Sequence, residues 1–193
     1  MHTTSHFVGL KIKSSSLADI FIKIQNTLGN SKNSFLFQNI LSAHITLFYF
    51  PDSISEDEKR KIAQIIKNLD ISEIKPWIRW FEYFWDLSNP KLCYLQTQEN
   101  ITLEQFHYIF RKEFPQYLNI TDNAYPTYTP HITLFHVTNP AHFQEKRDLI
   151  EAILSEEIEK LKNIEIFESI ELFQVNSQFQ PEIQIILPLV LEK

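Results

Sequence analysis

The sequence predicts an α+β fold built from two similar halves, and three observations carry that reading. Runs rich in β-branched and aromatic residues alternate with amphipathic stretches in the order β-α-β-α-β-β-α-β-α-β-β. The word H-I-T-L-F occurs at 44–48 and again at 131–135, each time after a helix and an irregular loop and before a second helix. With ~18,000 pairs of positions against ~3 million five-residue words, a chance repeat has odds on the order of one per cent. The 193 residues include only two glycines, Gly9 and Gly29, where about 13 or 14 would be usual. That excludes the G-x-G-x-x-G turn of dinucleotide-binding folds and the glycine-rich loop of nucleoside triphosphatases. No Pro- or Ser-rich linker divides the halves, so 1–193 reads as a single domain of two lobes.

The elements follow in order from local rules. His6–Ile12 is rich in β-formers and reads as a strand. Ser14–Ser16 offer N-caps to a helix with Leu17, Ile20, Phe21, Ile24 and Leu28 at helical spacing, and Gly29 is placed to stop it. A polar loop surrounds Asn30–Asn33. His44–Phe50 is a short strand closed by Pro51, and Ser55 with Glu58 is a capping-box signature for a helix running to Leu69. Trp77–Leu87 and Lys91–Gln98 are strands joined by the turn signal S-N-P. Trp77, Trp80 and Trp85, with Phe81, Tyr83 and Phe84, read as a sheet surface packed under helices. Thr102–Phe114 is a helix with Leu103, Phe106, Ile109 and Phe110 on one face. Pro115–Pro130 is a loop, His131–Val137 a strand and Ala141–Leu161 a long charged helix. Ile164–Val175 and Glu182–Leu189 are the last two strands.

Bulk composition narrows the partners. Hydrophobic content of 44% with 22% charged residues is that of a globule, not of a disordered chain. A net charge of −6 argues against gripping long duplex nucleic acid and favours a nucleotide or an RNA end. Cys93 is the only cysteine, which leaves no intramolecular disulfide and no cysteine-rich metal site. Met1–Lys13 lacks a signal-peptide pattern, and no stretch approaches 18 uninterrupted apolar residues. The expectation is a cytoplasmic monomer that binds no cofactor, no metal and no membrane.

Period-two alternation puts His44, Thr46 and Phe48 on one face of their strand, and His131, Thr133 and Phe135 on one face of theirs. Ile45, Leu47, Ile132 and Leu134 then face the core. Each motif presents an imidazole beside a hydroxyl, and two lobes related by a pseudo-twofold bring both pairs to one cleft. Two imidazoles suit concerted acid–base work near neutral pH. Two threonine hydroxyls can hydrogen-bond the non-bridging oxygens of a phosphate between them. Two histidines alone fall short of the three or four ligands zinc takes.

The doubled H-x-T, its spacing and the element order resemble the two-histidine (2H) phosphoesterase superfamily. The branch most similar is that of the LigT, or 2′-5′ RNA ligase-like, RNA 2′,3′-cyclic phosphodiesterases. The resemblance covers nearly the whole chain and rests on H-I-T-L-F-Y-F-P-D-S-I-S-E-D-E-K and Y-T-P-H-I-T-L-F. It implies a bilobal fold with antiparallel sheets and helices around a central cleft. It implies a metal-independent cyclic phosphodiesterase acting on a 2′,3′-cyclic phosphate or a related phosphodiester. Relatives commonly carry a basic residue where this chain has Phe48, Arg where it has His136, and Arg-x-Phe where it has His6-Phe7. The second reading is a nucleotide-binding or regulatory module that keeps the cleft with little turnover.

Lesser candidates surround this core. Phe48, Phe135, Tyr125 and Tyr128 are candidates for stacking a nucleobase. Alternation puts His136 on the face opposite His131. His6 is placed to reach the cleft rim, whereas His2, His107 and His142 read as surface. Lys11, Lys13, Arg79 and Lys91 are candidate phosphate contacts without an assigned place.

Overall fold

The β-rich runs pair into two four-stranded antiparallel sheets in a computed structural model of the chain, which describes residues 4–29, 34–72, 74, 77–98, 101–120, 123, 127–162, 164–175 and 183–185. The element order is β1 (Thr4–Ile12), α1 (Ser14–Leu28), β2 (Phe35–Phe37), β3 (His44–Pro51), α2 (Glu56–Asn68) and β4 (Ile78–Phe84). It continues with β5 (Leu92–Thr97), α3 (Ile101–Glu113), β6 (His131–Val137), α4 (Pro140–Leu161), β7 (Phe167–Val175) and β8 (Ile183–Ile185). One sheet has the order β3-β1-β7-β8 and the other β2-β6-β5-β4. The α+β class is as the alternation indicates. The halves are not simple sequence halves, however. β7 and β8 return to the sheet of β1 and β3, and β2 crosses to pair with β6. β2 is a three-residue strand that no periodicity can announce, and it follows the polar loop read at Asn30–Asn33.

Local chemistry explains most helix ends. Ser55 and Glu58 form the full reciprocal capping box of α2, with Ser55 Oγ accepting from the Glu58 amide and Glu58 accepting from the Ser55 amide. Asn139 caps α4 by accepting from the His142 amide. α1 differs from expectation. Its first residue is Ser14 itself, its N-cap is Lys13 without a side-chain bond, and Gly29 at its end keeps right-handed angles. The backbone position that most calls for glycine is held by another residue. Trp85, at the end of β4, has φ 73°, a left-handed conformation that is strained for a bulky side chain.

β3 and β6, the two motif strands, carry the same irregularity. In β3, Val8 pairs with Phe48 and Gly9 with Thr46, leaving Leu47 as the extra residue of a bulge. In β6, Cys93 pairs with Phe135 and Tyr94 with Thr133, leaving Leu134 as the extra residue. A bulge shifts the phase of alternation by one residue. The burial pattern shows it, because Leu47 and Phe48 are buried in succession, as are Leu134 and Phe135.

Gly9 has a specific reason to be glycine. It faces the β3 bulge, and a Cβ there would lie 2.8 Å from the Ile45 carbonyl oxygen and 3.2 Å from the Phe7 ring. Backbone cannot yield as a flexible side chain does, so β3 can sit this close only across a residue without a side chain. Gly9→Ala is therefore expected to lower stability by about 1–3 kcal/mol. The check is a urea midpoint that falls with the slope unchanged; an unaltered midpoint would contradict the close approach.

Candidate active site

The bulges decide which side chains share a face with the motif histidines. Cross-strand partners share a face. His44 stands opposite Lys11, Thr46 opposite Gly9, and Tyr49 opposite Phe7. Those β1 residues stand in turn opposite Ser169, Glu171 and Phe173 of β7. In the second sheet His131 stands opposite Gln96, Thr133 opposite Tyr94 and His136 opposite Leu92. Beyond them on β4 are Trp80, Glu82 and Phe84. The two faces share the first two rows of one plan, a histidine row and a threonine row; the third row is aromatic in the first sheet and is His136, Leu92 and Phe84 in the second.

Both imidazoles are held alike. His44 donates Nδ1–H to the Ser42 carbonyl at 2.7 Å, and His131 donates Nδ1–H to the Thr129 carbonyl at 2.8 Å. A carbonyl only accepts, so each ring is fixed as the Nδ1–H tautomer and Nε2 is the atom that takes or gives a proton. Each ring also rests on aromatic neighbours of its own sheet. His44 lies 4.4 Å from Phe7 and 5.7 Å from Phe173, which stack on each other at 4.8 Å. His131 meets Tyr94 at 5.1 Å and Phe84 at 5.0 Å edge-to-face, and those two stack at 4.4 Å. Thr46 and Thr133 are half-buried, and neither hydroxyl has a hydrogen-bond partner among the described residues. Glu171 takes a bond from Ser169 on one oxygen, while its Oε2 is buried without a partner among the described residues.

The two motifs sense each other. β3 and β6 approach where the sheets meet. The His44 pKa is lowered to about 4, chiefly by loss of hydration and further by positive charge on His131, against the opposing pull of the Ser42 carbonyl. His44 is therefore neutral in the folded protein through the physiological range.

Several expected roles do not survive the geometry. Phe48 and Phe135 cannot stack a base, because the bulges turn both rings into the core, where each is 0% exposed. Phe48 instead packs against Phe50, Phe110 and Phe114. The same phase shift brings His136 onto the His131 face, where it is exposed. Tyr128 has one ring face stacked on His107 at 4.6 Å and its hydroxyl bonded to the Thr46 carbonyl, so it braces the strand. Tyr125 lies outside the described residues, as does His2. His107 is not a surface residue: it bonds the Leu47 carbonyl at 2.6 Å, and burial lowers its pKa. His142 bonds the Ser34 hydroxyl at 3.0 Å, and His6 is buried against the Pro51 carbonyl, not at the rim. Trp77, Trp80 and Trp85 are exposed, with only Phe81 and Tyr83 packed inward. Lys11 does stand beside His44, in an ion pair with Glu168 at 3.1 Å. Among the described residues no group of three or more His, Cys, Asp or Glu side chains is placed to hold a metal, and no helix is long and apolar enough to cross a membrane.

The fold agrees with the comparisons. The profile of the AKAP7 2′5′ RNA ligase-like domain matches residues 4–187. The chain belongs to that family, and with it to the 2H phosphoesterase superfamily. The crystal structure of TT0787 of Thermus thermophilus is similar in fold, with a TM-score of 0.61 and 12% identity over 95% of each chain. That of Escherichia coli LigT complexed with ATP has a TM-score of 0.55 and 13% identity, over 95% of this chain and 94% of LigT. LigT complexed with 3′-AMP gives 0.52 and 11%, over 94% and 93%. No curated protein matches.

The His44 environment has a measurable consequence. An unfolded histidine titrates near ~6.5. Because the folded pKa is depressed, the contribution to stability is full above that value and is lost as pH falls towards 4. An NMR titration is expected to show the His44 ring protonating near pH 4 in the free protein; a midpoint near ~6.5 would contradict its desolvation.

Proposed function

We propose that this protein is a metal-independent phosphodiesterase that hydrolyses a 2′,3′-cyclic phosphate or a related small cyclic or oligonucleotide phosphodiester. The observation that carries the reading is the matched pair of sites. Each has an imidazole locked with Nε2 as its working nitrogen and a threonine hydroxyl without a partner among the described residues. Membership of a phosphoesterase superfamily supports it, as do the complexes of LigT with 3′-AMP, phosphate and ATP.

The chemistry needs no further group. Thr46 and Thr133 donate to the two non-bridging oxygens and hold the phosphorus between the imidazoles. His44, neutral because it is desolvated, takes a proton from the attacking water through Nε2. The P–O bond to the ribose oxygen breaks on the opposite side, and His131 delivers the proton that the alkoxide needs. The products are a phosphomonoester and a ribose hydroxyl. In the next turnover the protons return by exchange with solvent.

Replacing either histidine by alanine is expected to lower kcat by at least ~10²-fold. Thr46→Val and Thr133→Val are expected to lower kcat/KM by ~10²-fold each. The pH–rate profile is bell-shaped, and EDTA leaves the rate unchanged. The assay is a panel of nucleoside 2′,3′-cyclic phosphates, ADP-ribose 1″,2″-cyclic phosphate and 2′-5′-linked oligonucleotides. Near-full activity in either histidine variant would refute the mechanism. Nucleotide binding without turnover of any of them would favour the binding-module reading.

A further inference from the structure

Among the described residues β3 ends its sheet, and no strand there pairs with its outer main-chain groups. Three side chains from far along the chain meet them. Tyr128 donates its hydroxyl to the Thr46 carbonyl at 2.8 Å. His107 donates Nδ1–H to the Leu47 carbonyl at 2.6 Å. Buried Asn123 mimics a paired strand residue at Tyr49, accepting its N–H at 2.9 Å and donating to its carbonyl at 2.8 Å. These three are themselves tied together. The Tyr128 ring stacks on His107, the Asn123 amide also donates to the Tyr117 carbonyl at 3.0 Å, and Arg111 donates to the Asn123 carbonyl.

The places bonded are the bulge itself and its flanks. A bulge is where the ladder sets geometry least, because the extra residue has no partner across the strand. Rotation of the peptide between Thr46 and Leu47 would move the Thr46 hydroxyl and, through the strand, His44. The donors all lie on α3 or on the segment that runs on to His131. We infer that His107, Asn123 and Tyr128 are positioning residues, a three-point clamp that fixes the β3 bulge and aligns the first motif with the second. The role rests on the proposal that His44 and Thr46 are catalytic.

The test separates positioning from mere stability. Steady-state kinetics of Tyr128→Phe, His107→Leu and His107→Asn are measured on a phosphodiester that the wild-type protein hydrolyses, well below each variant's Tm. Asparagine keeps a donor near the place of Nδ1, and leucine does not. Tyr128→Phe and His107→Leu are expected to lose about 10–100-fold in kcat with KM changed less than about threefold, and His107→Asn to recover most of the loss. A kcat within about twofold of wild type in folded Tyr128→Phe, or no difference between the two His107 variants, would overturn the role. Amide hydrogen exchange needs no substrate and supplies the second arm. The Tyr49 amide is expected to be protected in wild type and to exchange at least ~10-fold faster in Asn123→Ala, while amides paired with β1 keep their protection. An unprotected Tyr49 amide in wild type would overturn the clamp. A protected one in a protein that turns over no phosphodiester would count against the proposed function and not against the clamp.

Discussion

The site depends on one irregularity used twice. A regular strand presents alternate residues to alternate faces, so a histidine, a threonine and the next odd residue would all line the cleft. The extra residues Leu47 and Leu134 break that rule after the threonine in both motifs. Upstream of the break the polar pair is half-buried on one face; downstream the large phenylalanine goes to the core. Each bulge therefore joins a histidine–threonine face to an aromatic anchor within five residues. Phe48 and Phe135 belong to one continuous apolar core, which resists any shift of the strands that carry the histidines.

The scarcity of glycine gains meaning from this arrangement. Phosphate loops need glycines because backbone amides must approach the ligand closely. In the proposed site the groups that would meet a phosphate are side chains on strands, and neither glycine has a positive φ. Gly9 serves a different end, letting β1 and β3 close up opposite the bulge. It stands between Thr46 and Glu171 in the register, so the tightest approach of the two strands falls beside the threonine of the first motif.

Much of the fold is legible because it is written locally. The long helices, the capping box and the two motif strands follow from periodicity and capping chemistry within short windows. His44, Thr46, His131 and Thr133 stand out because a repeated word is visible without any structure. What escapes is non-local. A bulge depends on the partner strand, so strict alternation misplaces Phe48, Phe135 and His136. Asn123 has no sequence signal at all, since its role requires an unpaired strand edge that lies 74 positions away. His107 looks like a surface residue because its partner is a main-chain carbonyl 60 positions distant. The exposed tryptophans of β4 and its flanks are easily misread, because aromatic density is common to buried and open sheet faces alike.

In the proposed mechanism the two matched motifs form one phosphate seat. A crystal structure with inorganic phosphate bound tests it most directly. The expected result is a single phosphate with oxygens within about 3.2 Å of both histidine Nε2 atoms and both threonine hydroxyls. A phosphate held by one motif alone, or seated away from both, would contradict it.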